Sequence, residues 1–164
     1  MDHVDRILVQ WQIERPDLDT SPMGVIGRLS RTAASVTVDL GNTFARHGID
    51  ASTFDVLATL RRQGPPYQLA PAALAIEAMV TTSAVAQRLN RLEAHGFISR
   101  LPRPDDGRGK LVELTTAGKE LVDRVLPDHL ATEEALLENL SARERRTLVE
   151  LLSRVAPTSR SWKA

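Results

Sequence analysis

A mainly α-helical chain with one small β-hairpin is the fold class this sequence predicts, on three observations. Apolar residues recur every three or four positions through most of its length, as in Ile26, Leu29, Ala33, Val36, Leu40 and Phe44. That rhythm breaks once for strands: Phe97-Ile98-Ser99-Arg100-Leu101 and Leu111-Val112-Glu113-Leu114 flank a turn-rich, charged tip from Pro102 to Gly109. The positive charge is concentrated beside that hairpin. From Thr81 to Lys110 there are six Lys/Arg against three Asp/Glu, in a chain whose net charge is zero. The stretch before it holds seven against nine, and the stretch after it eight against nine. A helix followed by a basic hairpin is the order of a winged helix. The helix fits the major groove of DNA, and the tip reaches the neighbouring backbone or minor groove. On charge alone, a solvated helix with ordinary surface arginines fits as well.

Taken in order, residues 2–14 form the first expected helix, with Val4, Leu8 and Trp11 on one stripe and Ile7 beside it. Arg15-Pro16-Asp17 and Ser21-Pro22 are expected to break it. Residues 23–46 make a helix too long for one small core. In residues 51–62, Ser52-Thr-Phe-Asp55 has the Ser-x-x-acid form of a capping box, and Phe54, Leu57 and Leu60 face inward. Gly64-Pro65-Pro66 stops that helix, and residues 69–78 form a short Ala-rich one. Met79-Val80 is the expected turn of a helix-turn-helix. The next helix places Val85, Leu89 and Leu92 on one face, and Arg88 and Arg91 on another. Thr81, Thr82 and Ser83 supply hydroxyls at its start, and His95-Gly96 ends it. Residues 116–138 form a second long helix, which Pro127 should kink or split near Leu126. Ser141-Ala-Arg-Glu144 is a capping box opening a last helix to about Val155. Its stripe of Leu148, Leu151, Leu152 and Val155, like that of the first helix, has no evident core within its own lobe. Both are expected to bury against a symmetry mate, since most soluble oligomers are C2 dimers.

Composition excludes several classes. Hydrophobic residues are 42% of the chain and aromatics 4%, so a core of Leu, Val and Ala is expected. No apolar run approaches the roughly 18 residues of a membrane span. The N-terminus is charged throughout and lacks the apolar segment of a signal peptide, so a cytoplasmic location is expected. There is no cysteine, hence no disulfide and no thiol sensing by the chain itself. The histidines at 3, 47, 95 and 129 are scattered, so no metal site is expected. No Gly-rich phosphate loop or nucleophile motif occurs, so neither an enzyme nor a cofactor is expected.

The segments LNRLEAHGFISR and PRPDDGRGKLVELTTAG resemble the core of the MarR family of winged-helix transcription factors. The matching features are a recognition helix ending in RLEAHG, a strand, an Asp-x-Arg wing at Asp106–Arg108, and Leu-Thr-x-x-Gly at Leu114–Gly118. The order of expected helices extends the resemblance over nearly the whole chain. It implies a single protomer over 1–164. Residues 1–46 and 116–164 would mainly dimerise, and 51–115 would form the DNA-binding lobe of an intertwined homodimer. The extra first helix, with Trp11 followed by ERPDLD, resembles a subgroup that includes the urate-responsive regulators.

The resemblance implies double-stranded DNA as partner. Thr82, Ser83, Gln87, Arg88 and Arg91 are the candidate contacts in the helix and Arg108 at the wing, with Asp106 orienting an arginine. Hydroxyls and arginines hold phosphates, and Gln or Arg also reads base edges. A second set follows from the urate-responsive subgroup: Trp11, Asp55, Arg88 and Arg100 as an effector pocket. Two arginines suit an anion such as urate, xanthine or an organic acid, and an indole offers a face or an N–H donor. Each residue also has a plain alternative. Trp11 could be dimer core, Asp55 a cap, Arg88 a phosphate contact only, and Arg100 a partner of a carboxylate. A repressor released by a small anion is the leading expectation. A regulator answering an organic or phenolic acid, and an interaction module that has lost DNA binding, remain beside it.

Overall fold

Of this chain, a computed structural model describes residues 1–78, 82–102 and 109–155, and of 82–85 the backbone only. The order is α1 (His3–Glu14), α2 (Ser21–Arg46), α3 (Ala51–Arg62), β1 (Gln68–Leu69), α4 (Pro71–Glu77), α5 (Thr82–Ala94), β2 (Ile98–Pro102), β3 (Lys110–Leu114), α6 (Thr116–Leu136) and α7 (Ala142–Val155). Two compact units divide at residue 40.

In the first unit, a reciprocal capping box starts α1. The Asp2 carboxylate accepts from the Asp5 N–H, and the Asp5 carboxylate accepts from the Asp2 N–H. Arg28 of α2 donates to both carboxylates. Glycine lets α1 lie close: a Cβ on Gly24 would stand 3.2 Å from Leu8 Cδ1, and one on Gly27 3.5 Å from Val4 Cγ1. Ser21-Pro22 does not break the chain here but opens α2. Proline suits a first helical turn, where no N–H is needed.

The second unit holds most of the core. Phe54, Val56, Leu57 and Leu60 of α3 pack in it with Leu74 of α4, Leu89 and Leu92 of α5, and Leu121, Val122 and Val125 of α6. The cap of α3 differs from expectation. Asp50, not Ser52, is the N-cap, accepting from the Thr53 N–H at 2.7 Å and the Ser52 hydroxyl at 2.8 Å. Asp55 is therefore not part of a cap. The short helix starts later than expected, at Pro71, because Gln68–Leu69 forms β1. The sheet runs β1-β3-β2, antiparallel throughout. At its centre, Glu113 accepts from Gln68 of one edge strand and Ser99 of the other.

Two glycines fix how the hairpin meets its neighbours. Gly96 ends α5 with φ of 72°, in the left-handed region that glycine adopts at low cost. Gly118 lies where α6 crosses the Phe97 carbonyl, and a Cβ there would be 2.1 Å from that oxygen. Thr115, between them, donates its hydroxyl to Gly96 O and accepts the Gly118 N–H. These contacts are the physical content of the Leu-Thr-x-x-Gly motif.

Pro127 does not split α6, which is helical through it. The turns before it are anchored. Asp123 pairs with Arg61 of α3 and with Lys119, and Leu121, Val122 and Val125 are buried. Ser141 and Glu144 form the expected capping box of α7. No α7 residue is buried, and Leu148, Val149, Leu151, Leu152 and Val155 are all exposed. Among the described residues, no helix is long and apolar enough to cross a membrane, and no group of three or more His, Asp or Glu gathers as a metal site.

Candidate functional site

The chemistry gathers on α5 because its faces are divided three ways. Each residue turns about 100° around a helix. Leu89 and Leu92 lock one side into the core. Gln87, Asn90 and Arg91 stand on the opposite side and are exposed. Arg88 lies on the flank between them, partly buried. An exposed Gln/Asn/Arg face is what a helix offers to base edges and phosphates. Among the other sequence candidates, Thr82 and Ser83 occupy the first turn of α5, and their side chains lie outside the described residues. So do Asp106 and Arg108 of the wing and Met79-Val80 of the turn.

The Arg88 guanidinium turns toward α3. It is within electrostatic reach of both Asp50 and Asp55. Its Nη1 is buried without a hydrogen-bond partner. Asp55 is exposed to solvent. The surrounding protein nonetheless desolvates its carboxyl and raises its pKa above the ordinary value, with Arg88 and His129 pulling the other way. Asp50 is desolvated too, but the hydrogen bonds from Ser52 and Thr53 bring it below that value. Asp55 and Arg88 thus lie within electrostatic reach of each other.

Arg100 is engaged elsewhere. It donates to Glu93 at 3.0 Å and to Asn90 at 2.7 Å, bracing β2 against α5. Trp11 lies on α1 in the first unit and is 42% exposed.

One residue of this neighbourhood was missed in the sequence. His129 of α6 stacks on Phe44 with ring centroids 5.5 Å apart, and lies 4.7 Å from Phe54. Its Nε2 meets Glu133 at 3.2 Å, and its Nδ1 is buried without a partner. No spacing could have shown this, because His129 comes from an element 74 residues after Asp55.

A short helix, an exposed polar recognition helix and an antiparallel hairpin in this order define a winged-helix DNA-binding protein. Residues 49–110 match the MarR family. The HTH-type transcriptional regulator PecS of Dickeya dadantii (strain 3937) is 40% identical over 152 residues, 93% of this chain and 92% of the relative. A mutant MarR from E. coli, in complex with operator DNA, superposes with a TM-score of 0.73 at 30% identity, covering 83% of this chain and 94% of that one. BpsR of Bordetella bronchiseptica, whose structure addresses regulation of DNA binding by 6-hydroxynicotinic acid, gives 0.72 at 25% identity, over 80% and 91%. The chain belongs to the MarR family. It is a DNA-binding transcriptional regulator, not an enzyme.

Proposed function

We propose that this regulator is a C2 homodimer that represses from pseudo-palindromic operators and is released by a small anionic heteroaromatic, urate or a related purine by preference. The observation that carries the effector reading is the Arg88 Nη1, a buried cationic donor with no partner, beside the desolvated carboxyl of Asp55. A guanidinium donor left unpaired in the interior is costly, and an anion entering past Asp55 would satisfy it. Two features support the dimer: the uncovered apolar stripe of α7 and the exposure of Leu126, Leu130 and Leu136 on α6.

Release follows from a division of labour on one helix. Gln87 and Arg91 face DNA, with Thr82, Ser83 and Arg108 as further contacts and Asp106 supporting the wing. Arg88 holds the effector. An anion that draws Arg88 and repels ionised Asp55 displaces the helix carrying the DNA contacts. A ten-fold weakening of DNA binding requires about 1.4 kcal/mol of preference for the displaced state. Arg100 governs the brace between α5 and β2. A second reading, an aromatic organic acid as effector, is favoured by the 6-hydroxynicotinic acid of BpsR.

The test is a thermal-shift series with urate, xanthine and 6-hydroxynicotinate on the wild type and on Arg88→Ala and Arg100→Ala. A ligand at 100 times its Kd stabilises by about 2.7 kcal/mol, which for a domain of this size is a rise of about 5–10 °C. That rise is expected in the wild type, and Arg88→Ala should abolish it. If none of the three ligands raises the melting point or weakens the DNA complex, the effector reading fails.

A further inference from the structure

The Arg100 brace also decides which way one amide on the exposed side of α5 is turned. Gln87, Asn90 and Arg91 share that side. At about 100° per residue, Asn90 stands about 60° to one side of Gln87 and Arg91 about 40° to the other. Arg100 reaches the Asn90 flank from β2. Its Nη2 donates to Asn90 Oδ1 at 2.7 Å, and its Nη1 donates to Glu93 Oε2 at 3.0 Å. Glu93 follows Asn90 by three residues and is its neighbour on the helix surface. The carboxylate holds the partly buried guanidinium in place. A guanidinium has donors and no acceptor, so the amide atom that meets it is the oxygen. The orientation of Asn90 is thereby set: Oδ1 is engaged by a cation, and the other branch, Nδ2, carries only hydrogens.

We propose that Asn90 is a specificity-determining contact with DNA that offers donors only, and that Arg100 is the positioning residue that makes it so. This rests on the reading given above, in which the exposed side of α5 meets DNA, and goes beyond it. An unconstrained Asn suits adenine, because its oxygen takes an N6 hydrogen while its NH2 meets N7. Here an adenine N6–H drawn to Oδ1 meets the like-signed N–H groups of Arg100. Guanine presents O6 and N7, both acceptors, and either suits Nδ2. Asn90 therefore selects a G·C pair over an A·T pair at one position of each half-site. The choice is set by an arginine that bonds to the reading side chain and not to the base.

Selection of sites from a random duplex library, carried out with the full chain and its variants, tests this. Asn90→Ala should relax the base preference at one position of each half-site, by about five-fold, and leave the rest of the selected sequence as it is. In the wild type that position should be G·C. Arg100→Met removes the donors and frees the amide, so the same position should move to A·T. Arg100→Lys still donates to Oδ1 and should keep G·C. A merely structural arginine would weaken all duplexes alike and leave the preference where it was, and that result refutes the positioning role. The wild-type base decides the matter even if Arg100→Met misfolds. G·C at the position that Asn90→Ala relaxes supports the proposal, and A·T there overturns it. If Gln87→Ala alters the selected site and Asn90→Ala does not, the DNA-facing side stands and the role of Asn90 is refuted. If neither variant changes the selected sequence or the affinity, both readings fall.

Discussion

Gly118→Ala should destabilise this protein severely although it adds one methyl group at a helical position. The new Cβ would lie 2.1 Å from Phe97 O and 2.8 Å from Leu114 Cδ1. A carbon–oxygen contact relaxes at about 3.3 Å or beyond, so α6 and the turn after α5 must part by roughly 1 Å. Phe97 O accepts the Thr115 N–H at 3.1 Å, and Thr115 Oγ1 donates to Gly96 O at 2.7 Å. Separation weakens both, at about 1 kcal/mol each. Overpacking adds about 1–3 kcal/mol, and better helix propensity returns about 1 kcal/mol. The net destabilisation is about 2–4 kcal/mol, a fall of roughly 10 °C in melting temperature. Urea and thermal unfolding measure it, with Gly41→Ala as control. Gly41 lies inside α2 with nothing within 4 Å of an added Cβ, so alanine there should cost nothing. If the two variants melt together, the close crossing at Phe97 does not exist and the stated basis of the Leu-Thr-x-x-Gly motif is wrong.

Two further outcomes are expected. Desolvation raises the pKa of Asp55. A carboxyl raised in the folded state supports the fold below its unfolded pKa and loses that support as pH rises through the folded value. Asp55→Asn should therefore melt higher than the wild type at neutral pH, with the gap closing as pH falls through the ordinary carboxylate range. A pH-independent difference between the two melting curves would contradict this. The double variant Leu148→Glu/Leu152→Glu places two charges one turn apart on the exposed apolar stripe of α7. It should be monomeric by light scattering and bind DNA more weakly, whereas a variant that remains a dimer removes α7 from the proposed interface.

Much of the fold could be read from the sequence because its elements are long or sharply punctuated. The α5 face of Leu89 and Leu92, the Gly96 stop and the two hairpin strands all follow from periodicity and glycine chemistry. What escaped is equally physical. β1 is two residues long, too short to show any period. Asp50-x-x-Thr53 and Ser52-x-x-Asp55 both have the form of a cap, and only the backbone geometry at Asp50, with ψ of 167°, decides between them. Pro127 has the look of a break, yet buried neighbours and the Arg61–Asp123–Lys119 cluster anchor the turns before it. For the site, helical spacing separated Arg88 from Leu89 and Leu92. It did not show that Arg88 turns to the Asp50/Asp55 side, that Arg100 is taken by Glu93 and Asn90, or that His129 arrives from α6. Those depend on how separate elements pack against one another.

The separation of roles on α5 is most directly tested by DNA-binding anisotropy of Arg91→Ala and Arg88→Ala. The probe is a labelled duplex selected from a random library by the wild type, used at two salt concentrations, with and without urate. Arg91→Ala should bind more weakly, with the salt slope reduced by about one for each phosphate it no longer neutralises, and should still be released by urate. Arg88→Ala should bind this duplex as the wild type does and be deaf to urate. The opposite pattern, in which Arg88→Ala fails to bind DNA and Arg91→Ala still binds it, would place Arg88 on the DNA face and contradict the division of that helix between DNA and effector.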